Sequence, residues 1–418
     1  MIISLFIVLI LSFILILANR NLIHVKNILG VFSILSAIFC FFPNFLTTIT
    51  GKYSVNLGNG KVEAQYSSLT TILVSVMVNL AYFGMIIAFF AKLLRGDKIR
   101  LNPVLICLLA IWAYVSGLDL IYEKLHVANL GILLILSFIC LSSPTSLNAL
   151  CQQTFVFVEL IIFCSAFVGV VYQEASWIPC RIDKCTVFGQ LFRGIFPYAN
   201  QAGLVVALAA PTAFFLFRNK TIKSIFATQV LFFVYLTGSR IALIGVAIGF
   251  IVAIFSSYLN ARVLFLVSFC ITFISLFPFS SNSLFTGRSF LWRIARQKII
   301  GSPLGNGSSA WENSGYSVFL GSASSYSSHN LVLEILLTGG IPIFIIYLIL
   351  VKEFYKKMVT DVSGIIISFF VTLSIIGIGE RPFSFYYVDY SLPILLILIF
   401  LLNSSPKFSS LENKSKSD

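Results

Sequence analysis

The chain has 418 residues, of which 58% are hydrophobic and only 10% are charged. An ordinary soluble domain is about 45–50% apolar and about 25% charged, so this composition excludes a soluble globular protein. The mean hydropathy of +0.99 means that most of the chain must lie in lipid. The formal net charge of +13 then has to be explained by where the cations lie.

Apolar runs recur along the whole chain and predict twelve or thirteen transmembrane helices, because about 20 apolar residues cross a bilayer. We therefore expect an all-α polytopic integral membrane protein, with residues 1–418 as one membrane domain and 280–328 as one large periplasmic loop. The runs lie at about 2–19, 28–45, 69–91, 103–118, 127–142, 154–172, 201–217, 224–237, 241–258, 262–279, 330–350, 362–379 and 391–403.

The cations divide between the two sides of the membrane. Alternate connections hold 16 of the 28 Lys and Arg residues, and these short connections are predicted to be cytoplasmic because positive charge is retained inside. This puts the N-terminus outside and the tail, 404–418, in the cytoplasm. The other twelve cations lie on the outer side, against the topological bias. Such cations are the ones expected to serve an anionic ligand.

Thr237-Gly-Ser-Arg240 interrupts two apolar runs and predicts a tight outward turn, with Ser239 as N-cap of the second helix. Arg240 would then lie in a first helical turn, where free N–H groups and the helix dipole favour an anion such as phosphate. The alternative is that Arg240 is an orientation anchor that extends to the membrane interface.

The loop at 280–328 contains Arg288-Ser-Phe-Leu-Trp-Arg293-Ile-Ala-Arg296, in which polar residues share one half of a helical wheel. This pattern predicts an amphipathic helix on the membrane surface whose arginines form a basic outer layer. The alternative for each single arginine is that it only binds anionic lipid.

His329 is one of three histidines and is predicted at a helix N-terminus capped by Ser327 or Ser328. The helix dipole there disfavours the imidazolium, so the neutral ring could serve as a base. The alternative is a plain polar cap.

Two further clusters lie at the predicted outer side. Arg193 to Asn200 precedes one apolar run, and Glu380-Arg381 begins an aromatic stretch that suits a membrane belt or sugar stacking. Cys180 and Cys185 flank a polar tetrapeptide, so a local disulfide is plausible in an oxidising compartment.

Taken in order, four segments resemble the bacterial O-antigen polymerase and O-antigen ligase superfamily, whose members act on undecaprenyl-diphosphate-linked glycans. The resemblance is strongest over 185–350, and this chain has Gly340-Ile-Pro342-Ile343 where Gly-x-Pro-Gly is commoner. The segments are Arg193 to Asn200, Thr237 to Arg240, Gly287-Arg288 to Gly307, and His329-Asn330 to Pro342.

The resemblance implies a glycosyl transfer without metal or other cofactor, in a fold similar to C-type integral-membrane glycosyltransferases. By position, Arg193 and Arg240 would hold the donor diphosphate with help from Arg288. The catalytic assignments are His329, which would serve the acceptor hydroxyl, and Arg240. Asn200, Arg293 and Asn330 are further expected to contact substrate.

The function expected first is a polysaccharide polymerase at the periplasmic face of the bacterial inner membrane. It would transfer lipid-linked glycan to the next lipid-linked repeat unit. The alternative is an O-antigen ligase that transfers glycan to lipid A core, and a lipid-linked sugar transporter or flippase is less favoured. Expected partners are the undecaprenyl-diphosphate-linked oligosaccharide, membrane lipid and a chain-length regulator, with no nucleic acid.

Overall fold

The structure is a computed structural model and is nearly all helical where it is described. The described residues are 2–18, 30–50, 52–56, 61–65, 68–96, 101–122, 127–140, 142, 145–180, 185–273, 276, 288–311, 328–360, 364–385 and 388–403. The tail at 404–418 and large parts of the loop at 280–328 lie outside these residues.

The first part of the chain alternates apolar helices with two small antiparallel hairpins, β1–β2 and β3–β4. A π-helical segment, Ala37–Phe41, lies within α2. The elements are α1 (Ile2–Ala18), α2 (Val31–Thr50), β1 (Lys52–Asn56), β2 (Lys61–Gln65), α3 (Ser68–Leu94), α4 (Pro103–Ile121), α5 (Val127–Cys140), α6 (Leu147–Val171), the short α7 (Gln173–Ser176), β3 (Trp177–Pro179) and β4 (Gln190–Phe192).

The second part of the chain is entirely helical where it is described. Its elements are α8 (Ala199–Phe214), α9 (Lys220–Leu236), α10 (Arg240–Phe255), α11 (Ala261–Thr272), α12 (Arg288–Gly301), α13 (Leu331–Thr360), α14 (Ile365–Gly379) and α15 (Leu392–Asn403).

Five helices in the described part of the chain are long and apolar enough to cross a membrane, namely α2, α3, α4, α6 and α13. Seven shorter apolar helices of 10–17 residues accompany them. A mainly helical chain of this kind suits a multi-pass membrane protein, because a helix satisfies its own backbone hydrogen bonds in lipid.

The centre of the bundle is formed by helices that are hydrophobic on every side. Fourteen of the fifteen residues of α14 are buried, as are all residues of α15 from Leu392 to Leu402. Against α14 packs α10, in which Gly245 and Gly249 leave no room for a side chain: a Cβ would come within 2.6 Å of Ile376 and 2.0 Å of Thr372. Small residues thus bring these two backbones together, as in other membrane helix pairs.

One end of the bundle, which we call the Glu380 end, gathers connections that are distant in sequence. Thr48 Oγ1 donates to Ile195 O at 2.7 Å, and Asn200 Nδ2 donates to Glu380 at 3.2 Å. At the opposite end, Asn102 hydrogen-bonds to Asn403, which lies at the end of α15. The end of α2 therefore lies with the segment that precedes α8, and the start of α4 lies with the end of α15.

A break in α13 is held by the loop that follows α12. Gly340 has φ +63° and ψ −160°, outside the helical range. Pro342 has no N–H to offer the carbonyl of Thr338. Instead, Gly307 N donates to Thr338 O at 3.0 Å and Asn306 N donates to Leu337 O at 3.0 Å. The loop at 303–307 therefore satisfies carbonyls that the break leaves open.

The same loop is bound from the other side by α4. Asp119, which is fully buried, accepts from Ser308 N at 2.6 Å through Oδ1 and from Asn129 Nδ2 at 2.7 Å through Oδ2. Tyr114 donates to Leu304 O at 2.9 Å. The loop is thus fixed between α4 and α13, and it fixes the C-terminal end of α12 in turn.

Candidate functional site

Glu380 is the centre of the candidate site. It follows the last residue of α14, and its side chain is only 5% exposed. Its Oε1 accepts from Asn200 Nδ2 at 3.2 Å and from Arg288 Nη2, and its Oε2 lies 2.9 Å from His329 Nδ1. We call these four residues the Glu380 cluster. Three residues that the sequence analysis selected thus converge on one carboxylate.

His329 is held in an unusual backbone conformation. Its φ is +48°, and it is the one described residue other than glycine with a positive φ. This left-handed region costs a non-glycine residue about 1 kcal/mol or more. The conformation presents the His329 ring, 36% exposed, between two fully buried neighbours, Ser328 and Asn330. Such strain persists only where the surroundings fix the backbone, and it is frequent at functional sites.

The residues on either side of His329 fix its backbone through their own hydrogen bonds. Ser328 donates through both N and Oγ to Glu334 Oε2 at 2.9 Å, and its carbonyl accepts from Trp292 Nε1 at 3.0 Å. Asn330 Nδ2 donates to Gly377 O at 3.0 Å and Ile378 O at 2.8 Å. His329 is therefore tied to α12, α13 and α14 at once.

Asn330, and not Ser327 or Ser328, caps α13, because its Oδ1 accepts from Leu333 N at 2.8 Å. The capping residue expected from the sequence was therefore wrong by at least two positions. The hydrogen bonds of the Asn330 side chain to α13 and α14 all go to backbone atoms of the protein. Its expected contact with substrate stays a prediction.

The Glu380 contact determines which nitrogen of His329 is basic. A carboxylate only accepts hydrogen bonds, so His329 Nδ1 is the donor and Nε2 is the basic nitrogen of the neutral ring. This is the arrangement in which a carboxylate orients a histidine for proton transfer.

Arg288 begins α12 and lies close to the end of α14. A Cβ at Gly379 would come within 3.0 Å of Arg288 Nη1, so glycine leaves the guanidinium its place beside Glu380. A guanidinium has five N–H donors. The ion pair with Glu380 therefore orients Arg288 without using all five N–H donors of its guanidinium.

A second ion-pair group lies next to the first. Arg381 Nη2 donates to Asp389 Oδ2 at 3.1 Å, and Arg381 Nη1 lies 3.8 Å from Glu334 Oε1. Burial raises the pKa of the Tyr390 phenol and the Asp389 carboxylate raises it further, so Tyr390 is a neutral partner for Gln201. Glu334 also accepts hydrogen bonds from Ser328, the residue before His329. The Arg381 group and the Glu380 cluster are therefore connected through this segment.

A small cavity of about 20 Å³ adjoins this second group. Glu334 and Arg381 contribute its charged lining. The rest is mainly apolar, with side chains from α4 and α13 and with Phe383 and Phe385. The cavity thus lies between apolar side chains of these helices and two charged residues of the Glu380 end.

Arg240 is the first residue of α10 and is exposed at the Glu380 end. The following residue, Ile241, lies 3.7 Å from where a Cβ of Gly379 would be, so the start of α10 is beside the end of α14. Ser239 is the N-cap residue as predicted, but its side chain makes no capping hydrogen bond.

Arg193 is 1% exposed and lies inside the protein. Its Nε donates to Ala175 O and its Nη1 donates to Pro197 O at 3.3 Å. These bonds hold the segment that leads to Asn200. The predicted contact of Arg193 with a diphosphate stays a prediction, and the contacts seen are to the protein backbone.

The helix predicted over 288–300 is present as α12, but its apolar side packs on protein. Trp292 and Ala295 are fully buried against Leu333 and Leu337 of α13. The prediction that the apolar side of this helix lies on the membrane surface was therefore wrong. Arg293 is on the exposed side, and burial lowers the pKa of Arg296.

Cys180 and Cys185 are joined by a disulfide beside the β3–β4 hairpin. Among the residues that the structure describes, no three His, Cys, Asp or Glu side chains are grouped so that they could hold a metal ion.

From the sequence, Glu380 was identified only as part of an aromatic stretch, and the roles of Glu334, Asp389 and Asp119 were not predicted. These carboxylates could have been recognised because acidic residues are rare in this chain, which has only 15 of them. A carboxylate at the end of an apolar helix in such a chain needs a partner.

Comparison with known proteins adds no relative: no family model, no curated protein and no solved structure matches the chain.

Proposed function

We propose that the protein is a polysaccharide polymerase of the bacterial inner membrane, with its active site at the periplasmic face. It transfers undecaprenyl-diphosphate-linked glycan to the next lipid-linked repeat unit. The observation that carries the proposal is the Glu380 cluster, in which one buried carboxylate orients both a histidine and an arginine.

The cluster supplies the groups that such a transfer needs. The acceptor hydroxyl attacks the anomeric carbon of the donor sugar, the bond from that carbon to the diphosphate oxygen breaks, and His329 Nε2 takes the hydroxyl proton. Glu380 stabilises the imidazolium that forms. Arg288 and Arg240 offset the negative charge that develops on the departing lipid diphosphate.

The surroundings fit a lipid-linked substrate. The cluster lies at one end of a bundle of apolar helices, and the lining of the small cavity beside Glu334 and Arg381 includes apolar side chains of α4 and α13. In this proposal the diphosphate lies by the arginines, and the isoprenoid chain of the donor lies along the exposed apolar side chains of the helices. Arg193 serves by positioning the segment that carries Asn200.

The test is a reaction with purified protein and undecaprenyl-diphosphate-linked repeat units. We expect a ladder of longer lipid-linked glycans from repeat units alone. A ladder that is absent unless rough lipopolysaccharide is added would reject the polymerase in favour of the ligase. No product under either condition would reject both.

A lipid-linked sugar transporter is the second candidate, and one observation favours it. Glu159, near the middle of α6, is fully buried and accepts from Gln229 Nε2 at 3.1 Å, and Gln229 also binds Ser12. Polar groups at this depth are typical of transport pathways. Movement of fluorescent lipid-linked sugar across proteoliposomes, without any new glycosidic bond, would support this candidate against the enzyme.

A further inference from the structure

Helix α3 is packed far less than the other long helices. Only 6% of its most apolar 18-residue window is buried, against 39–61% in the other four helices that could cross a membrane. On the packed side of α3, Tyr82 lies against Gly131 of α5. A Cβ at Gly131 would be 2.2 Å from the phenol oxygen of Tyr82. The opposite side of α3 faces away from the protein.

A polar side chain lies on that outer side, in the middle of the helix. Asn79 is about 16 Å from the start of α3 at Ser68 and about 23 Å from its end at Leu94, at 1.5 Å per residue. It is exposed, and its Nδ2 donates to Ser75 Oγ of the same helix at 3.3 Å, a long bond. In hydrocarbon, such an amide favours a hydrogen-bonding partner on another helix.

The apolar residues around Asn79 have the spacing of a helix-to-helix contact. Ile72, Val76, Asn79 and Phe83 are all exposed and follow one another at intervals of four, three and four residues. This spacing places them along one line of the helix, as in a seam between two helices. A single asparagine within such a seam fixes the register of the two helices.

We propose that α3 is the contact helix of a homodimer, in which Asn79 of one copy meets Asn79 of the other. The partner on this face is a second copy of the chain, because a carboxamide both donates and accepts hydrogen bonds and can therefore pair with another carboxamide. Two copies inserted in the same orientation and related by a two-fold axis along the membrane normal also place Asn79 at equal depth. A different partner would need its own polar group at that depth.

The proposal goes beyond the transfer reaction, since α3 contributes no residue to the Glu380 cluster. The test is oxidative cross-linking of the full chain in native membranes, in a background with the exposed Cys270 replaced by Ala. Val76→Cys is expected to give a product of twice the chain's mass. The matched control is Ile251→Cys, which is about equally exposed on α10 and should give none.

The role of Asn79 is tested by a second substitution in the Val76→Cys chain. Asn79→Leu should lower the cross-linked fraction about threefold to tenfold, and Asn79→Gln, which keeps an amide, should preserve most of it. Equal cross-linking at Val76→Cys and Ile251→Cys, or an unchanged fraction with Asn79→Leu, would overturn the proposal. A cross-linked product containing a different protein would also overturn it.

Discussion

Glu380 is almost completely buried, and its two carboxylate oxygens are paired with Arg288 and His329. Burying a charge is costly unless it is paired and hydrogen-bonded. The carboxylate in turn limits where the two partners can point. Arg288, which begins α12, and His329, which precedes the N-cap of α13, are 41 positions apart in the chain and are therefore held at one place.

The first prediction concerns Glu380→Gln, which keeps the shape of the side chain and removes its charge. We expect the turnover rate of glycan transfer to fall about 100-fold or more, because His329 loses the group that orients it and stabilises its protonated form. KM should change less than the turnover rate, since in this proposal Glu380 acts on the substrate only through His329 and Arg288. Steady-state kinetics with purified protein provide the measurement.

The matched control is Glu353→Gln at the opposite end of the bundle, where Glu353 pairs with Lys356 at 2.6 Å. It should leave both kinetic constants near their original values. Equal rates for Glu380→Gln and Glu353→Gln would contradict the role given to Glu380.

The second prediction concerns Arg240. Arg240→Ala should weaken binding of undecaprenyl diphosphate by roughly 10-fold to 100-fold, because charge-assisted hydrogen bonds to phosphate are lost. Binding is measured with fluorescent lipid in detergent micelles. Arg262→Ala is the control, since Arg262 is exposed at the start of α11 on the other end of the bundle. If both variants bind alike, Arg240 does not contact the diphosphate.

Among the elements, the break in α13 is the feature on which the site depends most. Gly340 allows the backbone to leave the helix, and the loop at 303–307 fills the space: a Cβ at Gly340 would lie 2.2 Å from Pro303 O. Ile341 N donates to that same carbonyl at 2.9 Å. The loop and the break are therefore one unit, which joins α12 to α13.

The third prediction is that Gly340→Ala destabilises the protein by about 2–4 kcal/mol, from the left-handed backbone and the steric overlap together. Thermal unfolding in detergent can be followed by a thiol-reactive dye, because Cys40, Cys107, Cys140 and Cys151 are buried. Gly117→Ala in α4 is the control, because nothing lies within 4 Å of its added Cβ. It should be neutral or slightly stabilising. Equal unfolding temperatures would contradict the account.

Much of the helix order follows from local sequence, and the Glu380 cluster does not. The apolar runs and the amphipathic pattern at 288–300 predict elements that are present, since hydrophobicity and periodicity are local properties. The partner of the apolar side of α12 is α13, and Asn330, the N-cap of α13, also donates to the end of α14. These contacts between helices depend on tertiary packing. So does the pairing of His329 with Glu380, which lies 51 positions later in the chain.

At the scale of the whole molecule, the connections divide between two ends, and the Glu380 end holds the disulfide Cys180–Cys185 and the ion-pair groups. Disulfides persist in oxidising compartments. Together with the predicted retention of cations on the cytoplasmic side, this favours a periplasmic position for the Glu380 end.

The fourth prediction tests this orientation. In a chain with Cys270→Ala, we expect Leu304→Cys to react with a membrane-impermeant maleimide in cells whose outer membrane has been opened. Leu304 is exposed in the loop at the Glu380 end, and Tyr258 is exposed at the other end. Tyr258→Cys should react only after the inner membrane is broken. The reverse pattern would place the cluster in the cytoplasm and would contradict a periplasmic transfer.

The most direct test of the central claim, that His329 and Glu380 act as one catalytic unit, is a double-mutant cycle on the initial rate of glycan transfer. The chains are the wild type, His329→Gln, Glu380→Gln and the double variant. We expect each single variant to lose most of the rate and the double variant to be little slower than His329→Gln, because residues that act together are not additive. Losses that multiply, or single variants with wild-type rates, would contradict the account.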